Sequence, residues 1–215
     1  MKRITFLILS PVIFIIIIIV PLISLASFQE GYDLYKKGKY YEAEKILLRE
    51  KELSPRNLDI YAVLGWCYLY TGRYRSAIGV SQEGLDFSPR DTRFLTTMGR
   101  SYFELKRYRD AIGYLESAAS FDPENAYNYF YLGRIFLAQG KLILAETAFS
   151  ASIKLMNDKY VFYKYRGDVY ERMSDFKAAE KDYKKALGLK PSDPKLKESL
   201  IKVISKQVEM EDVFE

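Results

Sequence analysis

The chain repeats itself every 34 residues, and that period constrains it more than any other feature. Gly31, Gly65, Gly99, Gly133 and Gly167 stand in one phase, as do Ala43, Ala77, Ala111, Ala145 and Ala179. Two consecutive segments, Leu58–Asp91 and Thr92–Asn125, superimpose residue by residue, with Tyr68 on Tyr102, Tyr74 on Tyr108 and Pro89 on Pro123. A fixed period of this length means an array of one supersecondary unit that cannot bury its apolar face alone.

The spacing within Leu58–Asp91 identifies the unit. Tyr61, Leu64, Gly65 and Tyr68 follow three- and four-residue steps, Gly72 breaks the pattern, and a second helical run through Tyr74, Ala77, Ile78 and Leu85 stops at Pro89. Two helices joined by a glycine turn and closed by a proline make an αα-hairpin. Where two helices cross closely there is room for a methyl group or less. Gly65 and Ala77 are therefore expected at the crossing, with Tyr68 and Tyr74 filling the space beside it.

This combination resembles the tetratricopeptide repeat, whose pattern reads here as Tyr61-x-x-Leu64-Gly65-x-x-Tyr68…Ala77-x-x-x-Ser81…Gly84…Pro89. The resemblance implies an all-α fold: a right-handed superhelical solenoid of about five helix hairpins, with repeats over 24–57, 58–91, 92–125, 126–159 and 160–193. The first repeat has Glu50 where a small residue is expected, and the fourth has Asn157 where others have proline. Asp193-Pro194 then starts one more helix, with aspartate as N-cap and proline at the first helical position. Leu196, Leu200, Val203, Ile204 and Val208 form its apolar stripe, and Lys195, Lys197, Lys202 and Lys206 are expected to face away. Residues 194–215 thus read as the capping helix a solenoid needs, with a frayed tail from Glu209.

Residues 1–26 read as a separate element. After Lys2 and Arg3 no charge appears before Glu30, and Ile4–Val20 is nearly unbroken apolar sequence with five isoleucines at 15–19. A run above about 18 apolar residues is long enough to cross a bilayer, longer than the ~7–15 of a typical signal peptide. One membrane-spanning signal anchor is the expectation, while Ser24-Leu25-Ala26 keeps open cleavage after Ala26. Lys2 and Arg3 would stay in the cytoplasm, placing the repeats of residues 27–193 outside it, in the periplasm of a bacterium with two membranes.

Charge and composition exclude whole classes of function. The net charge is +5, and setting Lys2 and Arg3 aside leaves +3 with both signs mixed along the chain. No stripe would track phosphates, so no nucleic-acid partner is expected. With no histidine and one cysteine, zinc and iron–sulfur sites, a Ser-His-Asp triad and an intramolecular disulfide are excluded. Cys67 reads as a small apolar filler on the first helix of the second repeat. No catalytic residue, metal or cofactor is assigned, and the chain is not expected to be an enzyme.

The resemblance also implies where a partner would bind. In this family the first helix of each repeat lines a concave groove, exposing its second, fifth, ninth, twelfth and thirteenth positions. Those positions here include Trp66, Tyr70, Arg93, Arg100, Phe103, Tyr127, Phe130, Arg134 and Lys164. Arg100 and Arg134 occupy the same position in adjacent repeats and would stack. Aromatic anchors with central arginines are the residue types of binding hot spots, and arginine grips carboxylates with two prongs. The expectation is a membrane-anchored interaction scaffold in cell-envelope assembly, binding a peptide or protein segment with a carboxylate near Arg100 and Arg134. The alternative is a periplasmic carrier, released by cleavage, holding a small amphiphile or lipid in the aromatic groove. Self-association through end caps or exposed faces is left open.

Overall fold

The computed structural model describes residues 27–214, all of them helical or in the short turns between helices. The expected anchor over 1–26 lies outside the described residues. Among those described, no helix is long and apolar enough to cross a membrane.

The first helix, α1, is helical over 27–36. It is followed by α2 (Tyr40–Leu53), α3 (Leu58–Tyr70), α4 (Tyr74–Phe87), α5 (Thr92–Glu104), α6 (Tyr108–Phe121), α7 (Ala126–Ala138), α8 (Leu142–Leu155), α9 (Tyr160–Arg172), α10 (Phe176–Leu189) and α11 (Pro194–Phe214). The starts of α3, α5, α7, α9 and α11 are 34 residues apart, and so are those of α2, α4, α6, α8 and α10. Local chemistry sets these ends. Asn57, Asp91 and Asn125 each accept a hydrogen bond from the backbone N–H two residues on, satisfying one of a helix's orphan donors. Asp193 does the same for α11 through the N–H of Lys195. Lys159, in the same register before α9, makes no side-chain cap. Within each hairpin the turn passes through one left-handed residue: Gly38, Gly72, Lys106, Gly140 and Ser174, all with φ between 61° and 75°.

The chain divides into two units, residues 1–89 and 90–215. In the first, α3 packs on α2 and α4 around Leu47, Ile60 and Leu64, all fully buried. In the second, each helix packs on the next from α5 to α11, and α7 also touches α5 and α9. One core there joins Leu115, Phe130, Ile135, Phe149 and Phe162, and a second joins Tyr163, Tyr183, Leu196 and Val203 beneath α11.

The helix crossings carry one feature beyond the expected small residues. A Cβ built on Gly31, Gly99, Gly133 or Gly167 would meet the side chain sixteen residues on, at 2.9 Å from Leu47, 2.6 Å from Leu115, 2.7 Å from Phe149 and 2.9 Å from Tyr183. The glycine therefore makes room for one large residue of the second helix. The in-phase alanine contributes backbone instead, as the carbonyl of Ala111 lies 3.3 Å from the Cβ position at Gly99. In the second repeat the corresponding residue is Ser81, fully buried, whose hydroxyl has no hydrogen-bond partner among the described residues.

The capping helix also departs from its expected pattern. It runs helical to Phe214, where a frayed tail from Glu209 was expected. Leu196 and Val203 are buried, but Ile204 and Val208 are 38% and 52% exposed. Lys202 and Lys206 do not face away: both reach Glu171 on α9, at 2.7 and 3.3 Å. A mostly buried carboxylate across the helix seam draws the two long side chains inward, and Lys206 also lies over the Phe176 ring at 5.3 Å.

Candidate partner-binding face

On the second unit, two arginines gather over an aromatic floor. Arg134 on α7 places its guanidinium carbon 4.4 Å from the centre of the Phe103 ring and 5.4 Å from both Tyr131 and Tyr165. Arg100 on α5 lies 4.9 Å from the same Tyr131 ring. The two arginines, expected to stack, both lie against this one tyrosine. Their positions follow from the repeat: both stand one residue after the crossing glycine of their helix, so the two side chains emerge in register. The Glu104 carboxylate lies 3.6 Å from Arg134, long for a charge-assisted bond of roughly 2.7–2.9 Å. Neither side chain of that pair is fully buried, at 23% and 34% exposure.

Other expected groove residues fall into different roles. Phe103 is half-buried, forming the floor between Tyr131 and Tyr108. Tyr127 is exposed and stands edge-on to Phe162. Phe130 is buried rather than displayed: its ring lies 4.9 Å from Phe162 and 5.9 Å from Phe149, with the Arg134 guanidinium 5.8 Å away. Its ring is large enough to reach between α8 and α9, and burial there outweighs display to solvent. Arg93 folds onto its own N-cap, gripping both oxygens of Asp91 at 3.0 and 2.7 Å. Lys164 pairs with Asp168 at 2.6 Å and covers the Tyr165 ring.

The face of α9 is closed rather than open. The Tyr183 hydroxyl lies 2.8 Å from Asp168 and 3.2 Å from Glu171, donating between the two carboxylates. Burial, and then those carboxylates, push the Tyr183 phenol far above its ordinary value. Burial alone would raise the Glu171 carboxyl, but Lys202 and Lys206 outweigh it and hold the group below its usual range. Beside this network Arg166 grips Asp182 bidentately, at 2.7 and 2.9 Å.

On the first unit, Trp66 and Tyr70 join a separate aromatic group. Tyr35 lies 5.6 Å from Trp66, and Tyr40 stacks on Tyr70 at 5.0 Å. Beside it a cavity of about 340 Å³ opens among Lys39, Tyr40, Glu42, Tyr70 and Thr71. Cys67 behind this group is fully buried, and burial pushes its thiol up to about 12.

Sequence spacing located the two arginines but missed the floor beneath them. Tyr131 and Tyr165 stand at the sixth position of their repeats, which is not among the groove positions the family resemblance supplied. For Tyr131 the only hint was Arg134 at the ninth position of the same repeat, one helical turn away; the ninth residue beside Tyr165 is Asp168, and its arginine comes from the preceding repeat. Among the described residues no cluster of three or more cysteine, aspartate or glutamate side chains could hold a metal ion.

Comparison with known proteins bears on the fold. Tetratricopeptide-repeat profiles match residues 96–159 and 160–193, and the profile of anaphase-promoting complex, cyclosome, subunit 3 matches residues 52–118. No curated protein sequence matches the chain. The fold is similar to that of a thermophilic TPR protein of Thermus thermophilus, with a TM-score of 0.71 and 20% identity over 84% of this chain and 98% of that one. It is also similar to pilF of Pseudomonas aeruginosa, at TM-score 0.77 and 21% identity over 90% of this chain and 87% of that one. YrrB, described as a TPR protein with an unusual peptide-binding site, is similar at TM-score 0.58 and 18% identity over 80% and 89% of the two chains. At these identities the likeness is one of fold.

Proposed function

We propose that this tetratricopeptide-repeat protein is a membrane-held interaction scaffold that binds an acidic peptide or protein segment on the first-helix face of α5 and α7. The observation that carries the proposal is the convergence of Arg100 and Arg134 on Tyr131. A guanidinium lying against aromatic rings gains about 0.5–2 kcal/mol and is held in place, while its N–H edge remains suited to bidentate contact with a carboxylate. The long Glu104–Arg134 pair leaves room for an incoming carboxylate to compete. The peptide-binding site described for YrrB belongs to that protein, and it lends weight only to the kind of ligand proposed here. No catalytic step is assigned.

Membrane attachment by residues 1–26, with the repeats outside the cytoplasm, belongs to the same proposal. It rests on the uncharged run from Ile4 to Gln29 and on Lys2 and Arg3 before it. A role in assembling envelope complexes follows from that placement.

The test is a peptide library with each member made in acidic form and with its carboxylates amidated, titrated against the full chain in detergent by fluorescence anisotropy. Bound peptides should lose roughly tenfold or more in affinity on amidation, the loss expected when a charge-assisted contact disappears. They should lose as much against Arg100→Glu with Arg134→Glu. Hits indifferent to both changes would end the groove proposal. Mass spectrometry of the chain from membranes, with protease added to intact spheroplasts, tests placement separately. A soluble chain starting at Ser27 would remove the anchor, and a full-length chain resistant to protease would reverse the orientation.

A further inference from the structure

The outer face of the capping helix is aliphatic where a terminal helix of a repeat array needs a polar one. Ile201, Ile204 and Val208 are 65%, 38% and 52% exposed and stand at spacings of three and four, so they form one stripe on α11. The inner face is already used: Leu196 and Val203 are buried, and Lys202 and Lys206 are bound to Glu171. α11 is also longer than it needs to be. Its 21 residues exceed the 14 of α10, and Val208, Glu209 and Met210 are all exposed near its end. The apolar stripe of the helix is therefore left uncovered.

The charge pattern along α11 says what covers it. With Lys202 and Lys206 held by Glu171, the N-terminal part carries Lys195 and Lys197 against the single acid Glu198. In sequence the C-terminal part carries Glu209, Glu211, Asp212 and Glu215. A second α11 laid parallel would set like charges together at both ends. Laid antiparallel about Ile204, it sets the basic part of each copy against the acidic part of the other. In that register Ile204 meets its own counterpart, Ile201 comes within one residue of Val208, and Lys197 stands opposite position 211, a glutamate.

We infer that two copies of this chain associate through α11, antiparallel and two-fold symmetric, with the Ile201–Ile204–Val208 stripe at the centre. Such a contact is isologous and closes at the dimer. From Lys197 to Glu211 the paired segment is about 21 Å long at 1.5 Å per residue. This places the interface at the small end, below roughly 1,200 Å² in total. The dimer is weak in dilute solution and gains from any confinement of the two copies.

Oxidative crosslinking of the full chain tests the geometry directly. Cys67 stays silent because it is buried and its thiol is poorly ionised. Ile204→Cys should form on the order of tenfold more disulfide dimer than Ile143→Cys, a residue 74% exposed on α8 that serves as the collision control. Ile201→Cys should couple poorly to itself but well to a copy carrying Val208→Cys. Lys197→Glu should lower the Ile204→Cys yield several-fold, and adding Glu211→Lys should restore it. Far-UV circular dichroism checks that the helices persist in every variant. Equal yields from Ile204→Cys and Ile143→Cys would overturn the inference. So would efficient self-coupling of Ile201→Cys, the mark of a parallel pair, or indifference to the charge reversals.

Discussion

Gly133→Ala should destabilise the array although alanine is the better helix former. A Cβ at this position would lie 2.7, 2.8 and 2.9 Å from three atoms of the Phe149 ring, about 1 Å inside the preferred carbon–carbon distance of roughly 3.5–4.0 Å. The ring cannot retreat freely, because Phe149 is fully buried with the rings of Phe130 and Tyr165 at 5.9 and 5.8 Å. Overpacking of this kind costs about 1–3 kcal/mol, whereas replacing a mid-helix glycine by alanine gains about 1 kcal/mol. Gly113→Ala supplies the matching control, since a Cβ there meets nothing within 4 Å. That variant should gain the propensity term alone and become more stable. The difference between the two variants isolates the clash, about 1–3 kcal/mol, or a separation of roughly 2–12 °C in midpoint for a chain of this size. Thermal unfolding followed by far-UV circular dichroism, on the full chain in one detergent, reads it. If Gly133→Ala were as stabilising as Gly113→Ala, the idea that the crossing glycine exists to admit Phe149 would be refuted.

Other perturbations follow from single contacts. Lys106→Gly should stabilise by about 0.5–1 kcal/mol in urea unfolding, because its φ of 61° costs a lysine about 1–2 kcal/mol and only part is lost to glycine's greater freedom when unfolded. Ser81→Ala should stabilise by about 1 kcal/mol in the same assay, since it removes a buried hydroxyl that bonds to none of the described residues. Asp182→Ala should cost about 3–5 kcal/mol by stranding the Arg166 guanidinium, whose carboxylate partner is only 5% exposed. Glu171 is held below its ordinary 4.5, so its contribution is complete above that value and fades as pH falls through the lower folded value. Hydrogen exchange in α11 should therefore quicken as pH is lowered past about 4.5 in the wild type, corrected for intrinsic rates, and show little such step in Glu171→Gln.

The helix starts were legible because the period is written in residues that tolerate few substitutes. Glycine at the crossing recurs at 34-residue steps, and asparagine or aspartate stands before α3, α5, α7 and α11, with Lys159 the exception before α9. What lay beyond reach was the direction in which neighbouring aromatics turn. Phe130 and Tyr131 are adjacent and both buried on α7, yet Phe130 packs on Phe162 with one arginine 5.8 Å from its ring, while Tyr131 supports two arginines. Periodicity assigns a face only to within about a hundred degrees, and the packing of α8 and α9 decides the rest. The lysines of α11 were misread for a related reason. Their attraction to Glu171 spans 31 and 35 residues of sequence, and no local pattern announces it.

The variable residue opposite each crossing glycine links the repeat to its function. Leu115 and Phe149 end in the apolar interior, so the first-helix face outside them stays independent of the core. Tyr183 adds a hydroxyl at the same place. Gly167 lets its ring come within 2.9 Å of the missing Cβ, and the hydroxyl emerges between Asp168 and Glu171. Those carboxylates then hold Lys164, Lys202 and Lys206. One oxygen atom thus couples the fifth crossing to the capping helix and occupies the charges that α9 would offer a ligand. It follows that a partner recognised by arginine should feel changes at Arg100 and Arg134 strongly and at Lys164 weakly, because Lys164 already has its carboxylate.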